Sequence, residues 1–232
     1  MLPRSNGAWT KVSLLEMTMT FKERVEIGEH VLYWGDCREI LPTLEASVCV
    51  TDPPYGISFK SGWTGAAIAG DGDLAARDAV LSIWTGPALV FGSPSMPEPL
   101  RTKHRLVWHR PGSGMGNLSL PWKPDFEMIY VLGDGFSSPV RGTSVLVFPW
   151  DVFRGDAIHP HQKPVALMAE LIGKCPDGTI VDPFMGSCST GVACAKLGRK
   201  FIGVEIHEPY FRIACRRVAD AVNGGVQPEL FG

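Results

Sequence analysis

Apolar and polar positions along this chain alternate with two periods, close to 2 and close to 3.6, and each switch marks an element. Short β-branched or apolar runs predict strands at residues 29–34, 47–51, 87–91, 105–108, 127–132, 145–148, 179–182 and 200–205. Between them, apolar residues three and four apart predict helices at 38–44, 75–84, 97–103, 164–174, 190–197 and 208–222. In the fourth of these, Leu167, Met168, Leu171 and Ile172 form the core stripe. Strands alternating with helices predict an α/β fold. Residues 179–222 read as strand, glycine loop, helix, strand with a terminal acid, then helix, which is a Rossmann-like half-unit.

Composition narrows this picture without redirecting it. The 232 residues are 45% apolar and 20% charged, enough for one domain with a full core. We expect a single domain over 23–222, between a flexible arm at 1–22 and a tail at 223–232, with Met17 or Met19 as alternative starts. No apolar run approaches the ~20 residues of a membrane span, and no secretory signal is read at the N-terminus, so a cytoplasmic protein of a bacterial or phage-infected cell is expected. The six cysteines form no C-x-x-C pair and mostly sit in apolar runs, as buried reduced thiols do; no metal site is expected. A net charge of −2 carries no global nucleic-acid signature, so any basic surface must be local.

The chemistry begins at Asp52-Pro53-Pro54-Tyr55, where the 47–51 strand breaks. Each proline fixes φ near −65° and removes a backbone donor, leaving the proline carbonyls and the Asp52 carboxylate as a stiff group of acceptors. Tyr55 adds a flat face beside them. Acceptors next to a stacking face suit a planar heterocycle with an exocyclic amine, although a plain proline turn would share these four residues. The Gly-, Ser- and Thr-rich stretch 56–73 follows and is expected to be a lid. Arg101, Lys103, Arg105, Arg110 and Lys123, interleaved with Trp108 and Trp122, are the best local candidates for contacts to nucleic-acid phosphates.

The second site is predicted where the 179–182 strand ends at Asp182 and feeds the loop containing Gly186. Such a turn presents backbone N–H groups at a helix N-terminus. Glu205 closes the next strand, where a doubly wound fold places the acid that binds ribose hydroxyls. The loop lacks G-x-G-x-x-G, and Asp182 would repel a pyrophosphate while suiting an ammonium. A nucleoside carrying an amino acid, such as S-adenosylmethionine, satisfies these features together.

With His159-Pro160-His161-Gln162-Lys163-Pro164 between them, the two loops resemble the motifs of the DNA amino-methyltransferases. That family has D-P-P-Y, then H-P-x-Q-K-P before a helix, then D-P-F-x-G-S-G. The order, catalytic loop first, resembles the β class, in which the methyltransferase fold is circularly permuted. The resemblance covers about residues 30–220 and implies a mainly parallel seven-stranded sheet with helices on both faces. It places Asp36, His159, Lys163, Asp182, Phe184, Gly186, Ser187, Ser189 and Glu205 around S-adenosylmethionine. It makes Asp52, Pro53, Pro54 and Tyr55 the catalytic loop, giving Asp52 and the Pro53 carbonyl to the target amine and Tyr55 to a flipped base. Double-stranded DNA is the implied partner, and a homodimer is compatible with the class.

Two features depart from the family pattern. Cys188 stands at the usual second glycine of the cofactor loop, where a Cβ narrows the methionine pocket unless φ stays negative. The target-recognition segment, about 133–157, is short, as in small phage-type methylases; a short target read by 112–122 and 133–155 is expected. An acid at position 52 resembles the adenine enzymes, whereas a serine there is more frequent in the cytosine-N4 enzymes. The alternatives are a cytosine-N4 methyltransferase, an RNA or protein amide methyltransferase and a non-catalytic module binding DNA and S-adenosylmethionine.

Overall fold

The most apolar runs of the sequence form the middle of a single sheet. The structure, a computed structural model, describes residues 21–55, 74–112, 118–119, 121–149 and 162–224. Among these are nine strands: β1 (Phe21–Ile27), β2 (His30–Gly35), β3 (Val48–Thr51), β4 (Ala88–Gly92), β5 (Thr102–His109), β6 (Phe126–Leu132), β7 (Val145–Val147), β8 (Ile180–Asp182) and β9 (Phe201–Glu205). Their order across the sheet is β1-β2-β9-β8-β3-β4-β6-β5-β7. Every residue of β3, β4 and β8 is buried, as continuous Val, Ile, Leu and Phe runs require when both faces are covered.

The helices are α1 (Cys37–Ile40), α2 (Ala75–Ile83), α3 (Val165–Ile172), α4 (Ser189–Lys196) and α5 (Glu208–Val222). Side-chain alternation along β3 divides the core between them. Val48 and Val50 face Leu167, Leu171, Ala193, Phe211 and Val218, from α3, α4 and α5. Cys49 faces the other way, toward Cys37, Ile40 and Val80, from α1 and α2. All six cysteines are free thiols, as expected. Among the described residues no helix is long and apolar enough to cross a membrane.

Three expectations are corrected. The sheet has nine strands and is mixed, not the seven-stranded sheet implied by resemblance. Following the pairings across it, β1 and β6 run against the other seven strands. The unforeseen strand is β1, an edge strand that is alternately half-buried and exposed. It reaches β2 through a tight turn at Gly28, whose φ of +59° is favourable only for glycine. The helix expected at 97–103 is absent, and Thr102 already belongs to β5. Pro97-Glu98-Pro99 explains this, since a residue before proline is pushed out of the α region.

The topology places the site. From β3 the chain crosses through α2 to β4 on one side, and from β8 through α4 to β9 on the other. Neighbours β3 and β8 therefore flank the switch point, and a crevice opens at their carboxyl ends. Asp52 follows one strand and Asp182 ends the other.

Candidate active site

Beyond Thr51 the chain turns out of the sheet with Pro53 buried and Asp52, Pro54 and Tyr55 partly covered. Asp52 is not alone there. Its Oδ1 accepts from the Tyr55 hydroxyl at 2.6 Å and its Oδ2 from Lys163 Nζ at 2.6 Å. Glu127, from β6, also accepts from the Tyr55 hydroxyl, at 3.0 Å, and lies 3.2 Å from Lys163 Nζ. Its other oxygen takes Arg110 Nη1 at 3.0 Å. The result is a charge-balanced cluster of two carboxylates, two cations and one phenol, assembled from β3, β5, β6 and the start of α3.

Burial and pairing set the protonation of this cluster. Burial alone would neutralise Lys163, but Asp52 and Glu127 outweigh it and raise its pKa above the ordinary lysine value. Burial would likewise push Glu127 up, yet Lys163 and Arg110 hold it below the usual carboxylate value. The Tyr55 phenol is pushed well above its normal range by burial and the two neighbouring carboxylates, so it keeps its proton. Lys163 Nζ also stands 5.1 Å from the centre of the Phe91 ring and 5.8 Å from that of Trp108. A shallow hollow beside the loop is lined by Pro54, Tyr55, Phe91, Gly92, Ser93 and Tyr130, among others.

At the end of β8 the Asp182 carboxylate is buried and satisfied by the protein. Thr51 and Thr190 hydroxyls donate to its two oxygens, each at 2.7 Å, and the Phe184 N–H adds a third bond at 3.1 Å. Burial pushes this carboxyl up to about 6 despite those donors. The expected ammonium acceptor is thus already committed: it ties the last residue of β3 to the first turn of α4. Glu205, at the end of β9, accepts from Gly186 N–H at 2.9 Å and His207 N–H at 2.8 Å. A carboxylate has about four acceptor positions, so two remain. Burial raises the Glu205 pKa, with those N–H groups partly offsetting it. Asp36 caps α1 through Arg38 N–H at 2.9 Å and pairs with the Arg38 guanidinium.

These residues fit an adenosyl-amino-acid cofactor in two observable ways. Gly186 has φ +50°, and a Cβ built there meets nothing within 4 Å among the described residues, which leaves the loop open to a ligand on that side. Ser189, at the first turn of α4, holds a buried hydroxyl with no partner among the described residues. Ser187 is buried beside it, and its carbonyl accepts from Arg217. Cys188 takes the left-handed conformation its glycine relatives would use, φ +66°, contrary to the negative φ that would spare a Cβ. Its sulfur lies under Gly191 in the core, where a Gly191 Cβ would overlap it. The Cβ at 188 is therefore accommodated by inward packing.

The remaining predicted residues separate. Lys163, expected beside the cofactor, joins Asp52 and Tyr55 instead. Tyr55 is half-buried, with its hydroxyl held between Asp52 and Glu127. Arg101 is exposed, with its guanidinium donating to the carbonyls of Leu81, Trp84 and Thr85 at the end of α2, and Arg110 is half-buried and paired with Glu127. Lys103 pairs with Asp134 and Arg105 with Glu98 on the surface, and Lys123 is exposed. His159, the lid at 56–73, residues 113–117 and 150–161, the arm before 21 and the tail after 224 lie outside the described residues. Sequence reasoning missed Glu127, Thr51 and Thr190 as site residues and read Arg110 only as a phosphate contact; of the three, only Glu127, an acid opening an apolar run, left a trace.

Comparison with known proteins gives a consistent set. Residues 99–216 match the N6/N4 DNA methylase family model. The DNA adenine methyltransferase YhdJ of Escherichia coli (strain K12) is 44% identical over 62 residues, 26% of this chain and 21% of that protein. The M1.HpyAVI–SAM complex superposes with a TM-score of 0.59 at 25% identity, covering 80% of this chain and 98% of that one. The PvuII cytosine-N4-specific DNA methyltransferase superposes at 0.67 with 15% identity, over 88% and 95%, which is a likeness of fold.

Proposed function

This chain belongs to the N6/N4 DNA methylase family, S-adenosylmethionine-dependent enzymes acting on DNA, and we propose that it methylates the exocyclic amine of adenine in double-stranded DNA, after the base leaves the helix. The observation that carries this reading is the meeting of the two loops. Asp52 emerges from β3 beside β8, whose loop continues into α4, and the Thr51–Asp182 bond of 2.7 Å ties one strand end to the other. The adenine assignment draws on the acid at position 52 and on the segment shared with YhdJ. The order of the loops, catalytic before cofactor, supports the β class.

Phe184, Gly186, Ser187, Ser189, Asp36 and Glu205 would hold S-adenosylmethionine, with Glu205 offering its two remaining acceptor positions to ribose hydroxyls. When bound, S-adenosylmethionine supplies a methyl group on a sulfonium, open to in-line attack by a nitrogen lone pair. The chain's own part is to prepare that nitrogen. Asp52 and the Pro53 carbonyl accept its N–H groups and favour a lone pair localised on nitrogen over one delocalised into the ring. Tyr55 offers its ring to the base while its hydroxyl stays in the cluster. All six thiols are outside this scheme, because direct transfer forms no enzyme-bound intermediate.

The test is chemical identification of the product. DNA incubated with the protein and S-adenosylmethionine, digested to nucleosides and resolved by mass spectrometry, is expected to contain N6-methyladenine. Methylcytosine instead would overturn the adenine assignment in favour of the cytosine-N4 reading.

A further inference from the structure

Before any base arrives, each oxygen of Asp52 already accepts one donor. Lys163 holds Oδ2 and the Tyr55 phenol holds Oδ1, each at 2.6 Å. A target amine that takes Oδ1 must share that oxygen with the Tyr55 hydroxyl or displace it. In a buried site a released donor is costly unless another acceptor stands ready. Glu127 stands ready. Its Oε2 is 3.0 Å from the Tyr55 hydroxyl and 3.2 Å from Lys163 Nζ, while Arg110 fixes its other oxygen at 3.0 Å.

The phenol carries a single proton, so at any moment it donates to Asp52 or to Glu127. Turning that O–H from the first to the second requires only a rotation about the C–O bond. The swap frees Asp52 Oδ1, leaves no buried donor unsatisfied and moves no net charge. Lys163 stays on Oδ2 and keeps the carboxylate aimed. We infer that Glu127 is a positioning residue that receives the Tyr55 hydroxyl when Asp52 is handed to the substrate amine. The inference rests on the reading of Asp52 as the amine acceptor and adds the device that unlocks it.

A double-mutant cycle on the full-length protein tests it, using Glu127→Gln, Tyr55→Phe and the double variant, with single-turnover methyl transfer to DNA as the readout. Glu127→Gln keeps the volume but weakens the alternative acceptor. It is expected to lower the transfer rate by about tenfold or more, with the dissociation constant for S-adenosylmethionine unchanged. Tyr55→Phe has its own cost, but without a hydroxyl to receive, adding Glu127→Gln should cost less than about threefold. An equal loss in both backgrounds would overturn the inference, since a purely structural Glu127 matters whether or not the phenol is present. If Glu127→Gln does not fold, Glu127→Asp reads the same coupling, because its shorter arm keeps the charge and withdraws the acceptor. Asp52→Ala serves as the control: if it still methylates DNA, the reading of the site fails; if it is silent and the cycle is additive, the swap alone fails.

Discussion

Asp182 and Glu205 show how the same residue type is put to opposite uses within one crevice. Both are buried carboxylates at strand ends, but Asp182 spends its oxygens on Thr51, Thr190 and Phe184, whereas Glu205 spends only half its capacity on Gly186 and His207. Glu205→Ala should therefore weaken S-adenosylmethionine binding, by ~1.5–3 kcal/mol for a lost charged hydrogen bond; calorimetry showing an unchanged dissociation constant would refute that role. Asp182 makes a prediction about pH. Its folded pKa, about 6, lies above the ordinary value of 3.8, so between these values the folded state binds more protons than the unfolded one. Its contribution to stability is thus greatest at low pH and declines as pH rises toward about 6, on the order of 3 kcal/mol in all. Chemical denaturation at several pH values should show this slope as the difference between wild type and Asp182→Asn. Identical slopes would contradict the burial of the ionised carboxylate.

At the scale of elements, α4 carries the cofactor loop and is seated by small residues. Gly191 lies inside this helix, where glycine costs about 1 kcal/mol relative to alanine, and close packing accounts for it. A Cβ there would overlap Cys188 Sγ and come within 2.8 Å of the Phe201 ring, both buried. Gly191→Ala should destabilise the protein by about 1–3 kcal/mol through overpacking, against the gain that helix propensity alone would predict. Thermal unfolding checks the sign. The same element shows where the sequence was readable. The strand at 179–182, its loop and its helix were legible because continuous apolar runs, one glycine and a terminal acid each have a local cause. The 21–27 strand was not, because FKERVEI alternates mostly charged residues along an exposed edge and its pairing with β2 is a tertiary fact. The false helix at 97–103 came from setting apolar spacing above two prolines. Lys163 was legible as a motif residue but not as a partner of Asp52, since 111 residues and a sheet separate them.

For the whole molecule, the nine-stranded sheet brings two distant loops to one switch point. The catalytic cluster then draws on β3, β5, β6 and the start of α3, and the cofactor loop on β8, α4 and β9. Fold class, the two loops and the donor were readable because motifs with rigid backbones carry their own geometry. The acceptor cluster around Glu127 was hidden because it exists only when four elements meet. The partners of the predicted basic residues were hidden for a related reason: Arg101, Lys103, Arg105 and Arg110 look free in sequence but are engaged by helix carbonyls and neighbouring acids.

The claim on which the rest depends is that Asp52 presents a DNA amine to S-adenosylmethionine. Its most direct measurement is transfer of a labelled methyl group to DNA by wild type and Asp52→Ala, at a cofactor concentration shown by calorimetry to saturate both. We predict labelled DNA with wild type, none above background with Asp52→Ala, and near-equal cofactor binding by the two. Methyl transfer by Asp52→Ala at close to the wild-type rate would contradict the account.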